Sequence, residues 1–316
     1  MSQNGRVAVV AISGNSFIRD KAHPTIPDQH AATHEACVHV AAMIEQGWNV
    51  VIGHGNGPQM DLILRRSELA RHELHQVPLD HCGADTQGVI GYMLQQDLHN
   101  EFNRRNVPKQ AVTVVTRVLV DKNDPAFHNP TKPIGPFMSE QEAKCRVETE
   151  GWNVIEDPGR GWRRVVPLPQ PKRIIERDAV KKLLDAGFVV ITVGGGGIPV
   201  VDDGDGELVG TVAVIDKDFA SSLLAQSINA DLFLISTAVE KVSLNFGKPS
   251  QAGIDQMTVA QAKRYIEEGH FAPGSMLPKI QAIIRFLEAG GKEANITNLE
   301  NIKHALAGKT GTRIVP

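Results

Sequence analysis

The chain has 316 residues, 41% of them hydrophobic and 22% charged, which is ordinary for a globular protein and enough for a large core in one α/β unit or two lobes. A net charge of −3, no basic segment and only 5% aromatic residues disfavour a nucleic-acid partner, which needs phosphate neutralisation or base stacking. Cys37, Cys82 and Cys145 are far apart and odd in number, which argues against a disulfide framework or a zinc ribbon and fits a reducing compartment.

In chain order, the polar Met1–Arg6 start is followed by an apolar run, 7–12, too short for a signal-peptide core. No run approaches the roughly 18 apolar residues that span a bilayer, so a cytoplasmic location without a membrane partner is expected. The 7–12 run suits a strand buried on both faces of a parallel sheet, stopping at Ser13-Gly14-Asn15-Ser16. Helical spacing over 28–46 ends at Gly47, and 48–52 is a second strand that stops at Gly53-His54-Gly55-Asn56-Gly57-Pro58. Helices are predicted over 59–71, with Pro58 in the first turn, and over 87–105; the Val- and Thr-rich stretch 111–120 predicts one strand. Residues 121–171 differ in character, with eight prolines and the aromatics Phe127, Trp152 and Trp162, and read as a flap or subdomain over a site. Beyond it, helices are predicted over 176–186, 218–229, 275–289 and 299–307, with strands over 188–193, 232–236 and 294–297. Asp202-Asp203-Gly204-Asp205-Gly206 forms a turn between two extended pieces. The alternation predicts an α/β fold with a mainly parallel sheet.

Three loops share one design: Ser13-Gly14-Asn15, Gly55-Asn56-Gly57 and Gly194 to Gly197 each follow a buried strand and approach a helix. Loops at the carboxyl ends of parallel strands form the ligand crevice, glycine lets backbone N–H groups approach an anion, and a helix N terminus adds positive charge. Three such loops suggest a phosphate or carboxylate site, although none is a Walker A or dinucleotide fingerprint. His72 and His75, at i, i+3 spacing, have no third ligand nearby and read as solvent-exposed; Cys82 beside His81 reads as a small packed core residue. No metal site is expected from the chain's own residues.

The chain resembles the carbamate kinases of the amino acid kinase superfamily. The matching stretches are His54-Gly55-Asn56-Gly57-Pro58-Gln59, Gln87-Gly88-Val89-Ile90-Gly91-Tyr92, Pro130-Thr131-Lys132-Pro133-Ile134-Gly135, the run from Gly159 to Val166, Gly194 to Pro199 and Ala213 to Asp218. The run from Gly269 to Met276, Pro278-Lys279 and Gly311-Thr312 complete the set, in the family's order and over nearly the whole chain. The resemblance implies a three-layer α/β/α sandwich with a central, mainly parallel sheet. An acid-binding N-terminal lobe (about 1–210) would carry a protruding subdomain (about 121–171), followed by a nucleotide-binding C-terminal lobe (about 211–316). It implies a homodimer and the reaction of ATP with carbamate to give ADP and carbamoyl phosphate, often run backwards to make ATP in the degradation of amino acids or other nitrogen compounds. Mg²⁺ would arrive with ATP or ADP, held mostly by phosphates and water.

By the same resemblance, Lys132, Lys217 and Lys279 would surround the transferred group, with Asp216 and Asp218 orienting Lys217. The backbone of Ser13, Gly14, Asn15, Gly55, Asn56 and Gly57 would hold substrate and phosphoryl oxygens, and Gly195 and Gly196 would approach the acid. Asp216, Lys217, Lys241, Ser243, Ala272, Pro273, Gly274, Met276 and Lys279 would form the nucleotide side. Arg163 or Arg164 could reach in from the flap, or lie on a solvated flap surface. The chain departs from the family at Ser13, where a second glycine is usual and where positive φ would strain a serine. It departs again at Asp61, a carboxylate in place of glycine near an anion pocket, and at Ser243, in place of a tyrosine near the adenine site. These departures leave two alternatives: a kinase for another small carboxylate, or a low-activity module that binds a nucleotide or carbamoyl phosphate.

Overall fold

A computed structural model describes residues 5–18 and 25–316; the polar start at Met1–Asn4 lies outside the described residues. Its central sheet runs, edge to edge, β15 (Gln256–Thr258), β17 (Thr312–Val315), β16 (Glu293–Thr297), β12 (Leu232–Ser236), β1 (Val7–Ile12), β2 (Asn49–His54), β9 (Val189–Ile191) and β3 (Ala111–Thr113). All neighbours pair in parallel except β16 with β17. Chain order reverses at β1, which lies between β2 and β12 and so makes a switch point whose crevice opens at the carboxyl ends of the strands.

The alternation within the central strands builds the layers. Val9 and Ala11 of β1, Val51 of β2 and Phe233 and Ile235 of β12 face one core, packed by α5 (Arg177–Asp185), α6 (Lys217–Ser227), α7 (Val259–Glu267) and α8 (Met276–Glu288). Ala8, Val10, Ile12, Val50, Ile52, Leu232 and Leu234 face the other, covered by α1 (Ile26–Glu45), α3 (Leu79–Arg105) and α9 (Ile302–Leu306). The result is the expected three-layer α/β/α sandwich. Cys37 and Cys82 are buried, and Cys145 is exposed.

The stretch predicted as one strand over 111–120 is two. β3 belongs to the central sheet, whereas β4 (Arg117–Val120) turns into a second sheet of order β11 (Leu208–Gly210), β10 (Ile198–Asp202), β4, β8 (Pro171–Ile174). The break falls at Thr116, whose N–H and carbonyl are both bonded by the Gln87 side chain of α3, the carbonyl also accepting from the Ile198 N–H of β10 at 2.8 Å. Helix α3 begins eight residues before the predicted start, because His81, Cys82 and Gly83 gave no apolar period.

A third sheet, β5 (Lys132–Met138), β7 (Gly161–Val166), β6 (Asn153–Asp157), carries α4 (Glu140–Glu150) and forms the flap, resting on α2 (Gly57–Leu69). A short ribbon of β13 (Ser243–Leu244) and β14 (Ala252–Gly253) completes the elements used below.

Gly91 explains part of one motif. A Cβ there would lie 2.4 Å from Thr113 Cγ2, so α3 packs directly on β3. Gly91→Ala should lower stability by roughly 1–3 kcal/mol through overpacking. Thermal unfolding of Gly91→Ala, Thr113→Ala and the double variant checks this: if the Thr113 side chain is the obstacle, the double variant recovers part of the loss.

Candidate active site

The loops after β1, β2 and β9 meet backbone to backbone. A Cβ on Gly14 would lie 2.9 Å from the Asn56 nitrogen, and one on Gly55 2.5 Å from the Gly14 nitrogen and 3.2 Å from Lys217 Cδ. Here glycine serves close approach of two chains, since neither residue has a positive φ. Ser13 is ordinary extended backbone (φ −65°, ψ 138°), so the strain that a serine would bear at positive φ does not arise. Asn15 is exposed, and a Cβ on Gly57 would meet nothing within 4 Å, which leaves room beside the second loop.

The third loop is the strained one. Gly195 and Gly196 have φ of 65° and 92°, and a Cβ on either would strike Asn56 Nδ2 or the Ile215 carbonyl, both at 2.2 Å. Just before them Val193, a buried β-branched residue, sits at φ 44°, a region it adopts only when its surroundings force it. The force comes from a brace that sequence reading missed. Gln87 of α3 donates from Nε2 to the carbonyls of Thr116 and Gly194, both at 3.1 Å, and its Oε1 accepts from the Thr116 N–H at 2.7 Å. The Thr116 hydroxyl in turn accepts from the Val193 N–H at 3.1 Å. Gln87 stood inside a recognised motif, but only the fold shows why an amide fits there: its NH₂ supplies two donors and its oxygen an acceptor, which together serve Thr116 and Gly194.

Beneath the loops lies His54, fully buried. Its Nδ1 donates to the Gly55 carbonyl at 3.1 Å, and its Nε2 lies under Gly194. Burial, with Lys217 nearby, lowers its pKa from 6.5 to about 4 against the opposing bond to Gly55, so the ring is neutral. Asn56 is pinned by its Nδ2, which donates to Thr86 Oγ1 at 2.8 Å.

The charged centre is formed by two helix N termini. Asp218 is 3% exposed and takes Lys217 Nζ at 2.5 Å on one oxygen and Lys279 Nζ at 2.8 Å on the other. Burial alone would raise the Asp218 carboxyl, but the two ammonium groups together hold it below its ordinary value. Burial lowers Lys217, and Lys279 adds to this while Asp218 opposes it. Asp216, expected to flank and orient Lys217, caps α6 through Oδ1, which accepts from the N–H groups of Asp218 at 2.8 Å and Phe219 at 3.4 Å, and its charge also favours the charged form of Lys217.

Lys132 is not part of this cluster. It is exposed on the flap, makes no hydrogen bond or ion pair among the described residues, and has Asp61 as a nearby carboxylate. Asp61 itself, the extra carboxylate, faces the flap. Its Oδ1 accepts from the Gly135 N–H at 2.7 Å, and Arg163 Nη2 reaches its two oxygens at 3.3 and 3.2 Å while Arg163 Nε donates to the Gly135 carbonyl at 3.0 Å. Burial still raises the Asp61 carboxyl, against Arg163, Gly135 and Lys132. Of the nucleotide-side candidates, Lys241 is held by Asp255 at 2.5 Å, Ser243 starts β13, Ala272, Pro273 and Gly274 form an exposed turn, and Met276 opens α8.

A mostly parallel sheet with glycine loops and a lysine pair at its carboxyl edge makes a crevice that suits an anionic ligand. The profile of the amino acid kinase family matches residues 6–298, and the chain belongs to that family. It is 51% identical over 312 residues to the carbamate kinase-like protein YahI of Escherichia coli, covering 98% of each chain. It is 46% identical to the carbamate kinase of Thermococcus kodakarensis, covering 97% of this chain and 98% of the other. The carbamate kinase of Giardia lamblia bound to AMP-PNP superposes with a TM-score of 0.94 at 40% identity, covering 99% of both chains.

Two outcomes follow from this geometry. His54 binds a proton more weakly folded than unfolded, so stability is complete above pH 6.5 and is lost as the pH falls from 6.5 towards about 4. Denaturant titrations at several pH values should show that limb in the native protein and a flatter one in His54→Gln. Asp61→Asn should loosen the flap while leaving the core melting transition in place. Limited trypsin digestion should then cut the flap faster, whereas unchanged cleavage would show that the Asp61–Arg163 contact does not restrain it.

Proposed function

We propose that the protein is a carbamate kinase, transferring a phosphoryl group reversibly between ATP and carbamate to give ADP and carbamoyl phosphate. The observation that carries this reading is the Lys217–Asp218–Lys279 cluster, two cations on one buried carboxylate, placed at the N-terminal ends of α6 and α8 beside the Gly14–Gly55 contact. A carboxylate oxygen of carbamate attacks the terminal phosphorus in line, and ADP leaves with the bridging oxygen. No covalent enzyme intermediate is needed, so alignment and charge neutralisation do the work. Lys217 and Lys279 face the charge that builds on the moving phosphoryl oxygens, and Asp218 keeps both ammonium groups in register. Backbone N–H groups of Gly14, Asn15, Asn56 and Gly57 hold the phosphoryl side, while Gly55, whose own N–H is donated to the Ile12 carbonyl at 2.9 Å, serves the close approach of the loops; Gly195 and Gly196 line the acid side, where the Gly196 N–H is spent on the Val193 carbonyl at 3.0 Å. Lys132 joins when the flap presents β5 to the site.

The N-terminal lobe, about 1–210, takes the acid and the C-terminal lobe, about 211–316, the nucleotide, through Lys241, Ser243 and the 272–276 turn. Mg²⁺ enters on the nucleotide, where it neutralises phosphate charge. The Asp216 carboxylate fits a contact to it, because its second oxygen makes no hydrogen bond among the described residues. A homodimer is supported by α3, where Val89 and Tyr92 are 53% and 59% exposed and Gly88 has open space above it. No helix among the described residues is long and apolar enough to cross a membrane, and we place the enzyme in the cytoplasm.

Purified protein given MgADP and carbamoyl phosphate should form ATP, and Lys217→Ala should lower the rate by roughly two to three orders of magnitude. A folded protein that binds ADP but forms no ATP would overturn the assignment.

A further inference from the structure

Away from the lysine cluster, a cavity of about 170 Å³ lies between α2 and the flap. It shares no residue with the glycine loops or the catalytic lysines. One wall is apolar, built by Leu64 of α2, Val77 of the following turn, and Ile134 and Met138 of the flap strand β5. The other end is charged. Glu68 and Glu150 are both taken: Arg71 donates to each at 2.8 Å, and Arg146 pairs with each as well. Glu142, at the rim, is engaged in capping α4, accepting from the Ser139 N–H at 2.8 Å and its hydroxyl at 2.9 Å.

Arg164 is the cation left over. It lines the cavity, is half-buried, and makes no hydrogen bond or ion pair among the described residues. Its guanidinium lies 4.6 Å from the centre of the Trp152 ring, with Arg146 5.1 Å from the same ring. Burial lowers its pKa, against Glu150 and Glu68. Three guanidinium groups therefore share two carboxylates, and a half-buried cation whose donors lack an acceptor is costly until an anion meets it.

We propose that this cavity is a ligand site for a small carboxylic acid with an aromatic or branched aliphatic body. The carboxylate completes the arginine cluster by a two-pronged bond to Arg164, and the hydrocarbon fills the apolar end. The volume suits such a body, since cavities of about 150 Å³ accept benzene. A bare phosphate would leave the apolar wall unfilled, and a neutral hydrocarbon would leave Arg164 unmet. Because the walls come from both α2 and β5, an occupant ties the flap to the body of the protein two residues from Lys132.

Benzoate is a direct probe. Ligand-observed NMR with the full chain, in MgAMP-PNP to fill the nucleotide side of the catalytic crevice without turnover, should show benzoate binding with a Kd on the order of 1 mM. Benzyl alcohol, of the same shape but uncharged, should bind at least about tenfold more weakly, as should benzoate to Arg164→Met. Arg164→Lys should recover part of the affinity. Leu64→Trp, which fills the apolar end without touching the arginine, should block binding while leaving ATP formation unchanged. Absence of benzoate binding, displacement by the catalytic ligands, or equal affinity in folded Arg164→Met would overturn the assignment.

Discussion

The constraint on which the rest of the site depends is the pairing of one buried carboxylate, Asp218, with two ammonium groups. The side chains of Lys217 and Lys279 are each 13% exposed, so the cluster carries an extra positive charge largely out of water. The N termini of α6 and α8 add partial positive charge of their own. Such a concentration of positive charge, relieved in part by Asp216, favours an anion at this place, as the phosphoryl assignment proposed above requires. Asp218 lets the cluster exist before an anion enters, and it keeps either lysine from swinging into solvent. The division of labour between Asp216 and Asp218 follows from the same point. The residue inside the first helical turn faces both lysines, whereas the residue at the cap gives one carboxylate oxygen to the backbone.

The anion site needs the loops to sit closer than side chains allow. Gly14 and Gly55 bring two backbones into contact without any positive φ, the Gly55 N–H being donated to the Ile12 carbonyl. The third loop needs left-handed backbone at Val193 as well as at the glycines, and valine resists this. That cost is tolerated because Gln87 and Thr116 leave the loop no relaxed alternative with its carbonyls satisfied. Helix α3 is thus a strut, carrying Gln87 to the loop and Gly91 to β3 from a single rigid element.

Much of this was legible in the sequence. The continuous apolar run at 7–12 suited a strand covered on both faces, 232–236 read as a strand, and the glycine loops behind 7–12, 48–52 and 188–193 pointed to a crevice. What was not legible needed a partner distant in sequence. The 111–120 stretch looked like one strand because Val and Thr favour extended backbone throughout; the turn between sheets is made by Gln87, about thirty residues away in the chain. The edge strand β15, its neighbour β17 and helix α7 were also missed, since short elements show weak periodicity. The motifs located Lys132, but its distance from the other two lysines depends on how the flap stands, which no local pattern encodes.

Asp61 shows how a charge that looks misplaced along the chain can be correct in space. A carboxylate one turn into α2, beside an anion-binding loop, should repel the substrate. The repulsion is muted because Arg163 and the Gly135 N–H both bond to it from the flap. The sequence could not separate Arg163 from Arg164, yet their roles differ completely. Consecutive residues on a strand point to opposite faces, so on β7 one guanidinium meets Asp61 and the other lies over Trp152. One face of a single flap strand therefore fastens to the base of the active site, while the next residue presents an unmatched cation to a separate cavity. Both contacts act on the strand that hydrogen-bonds to β5, the strand that begins with Lys132. The position of that lysine is therefore set from the side of the flap, by charge pairing remote from the reacting atoms.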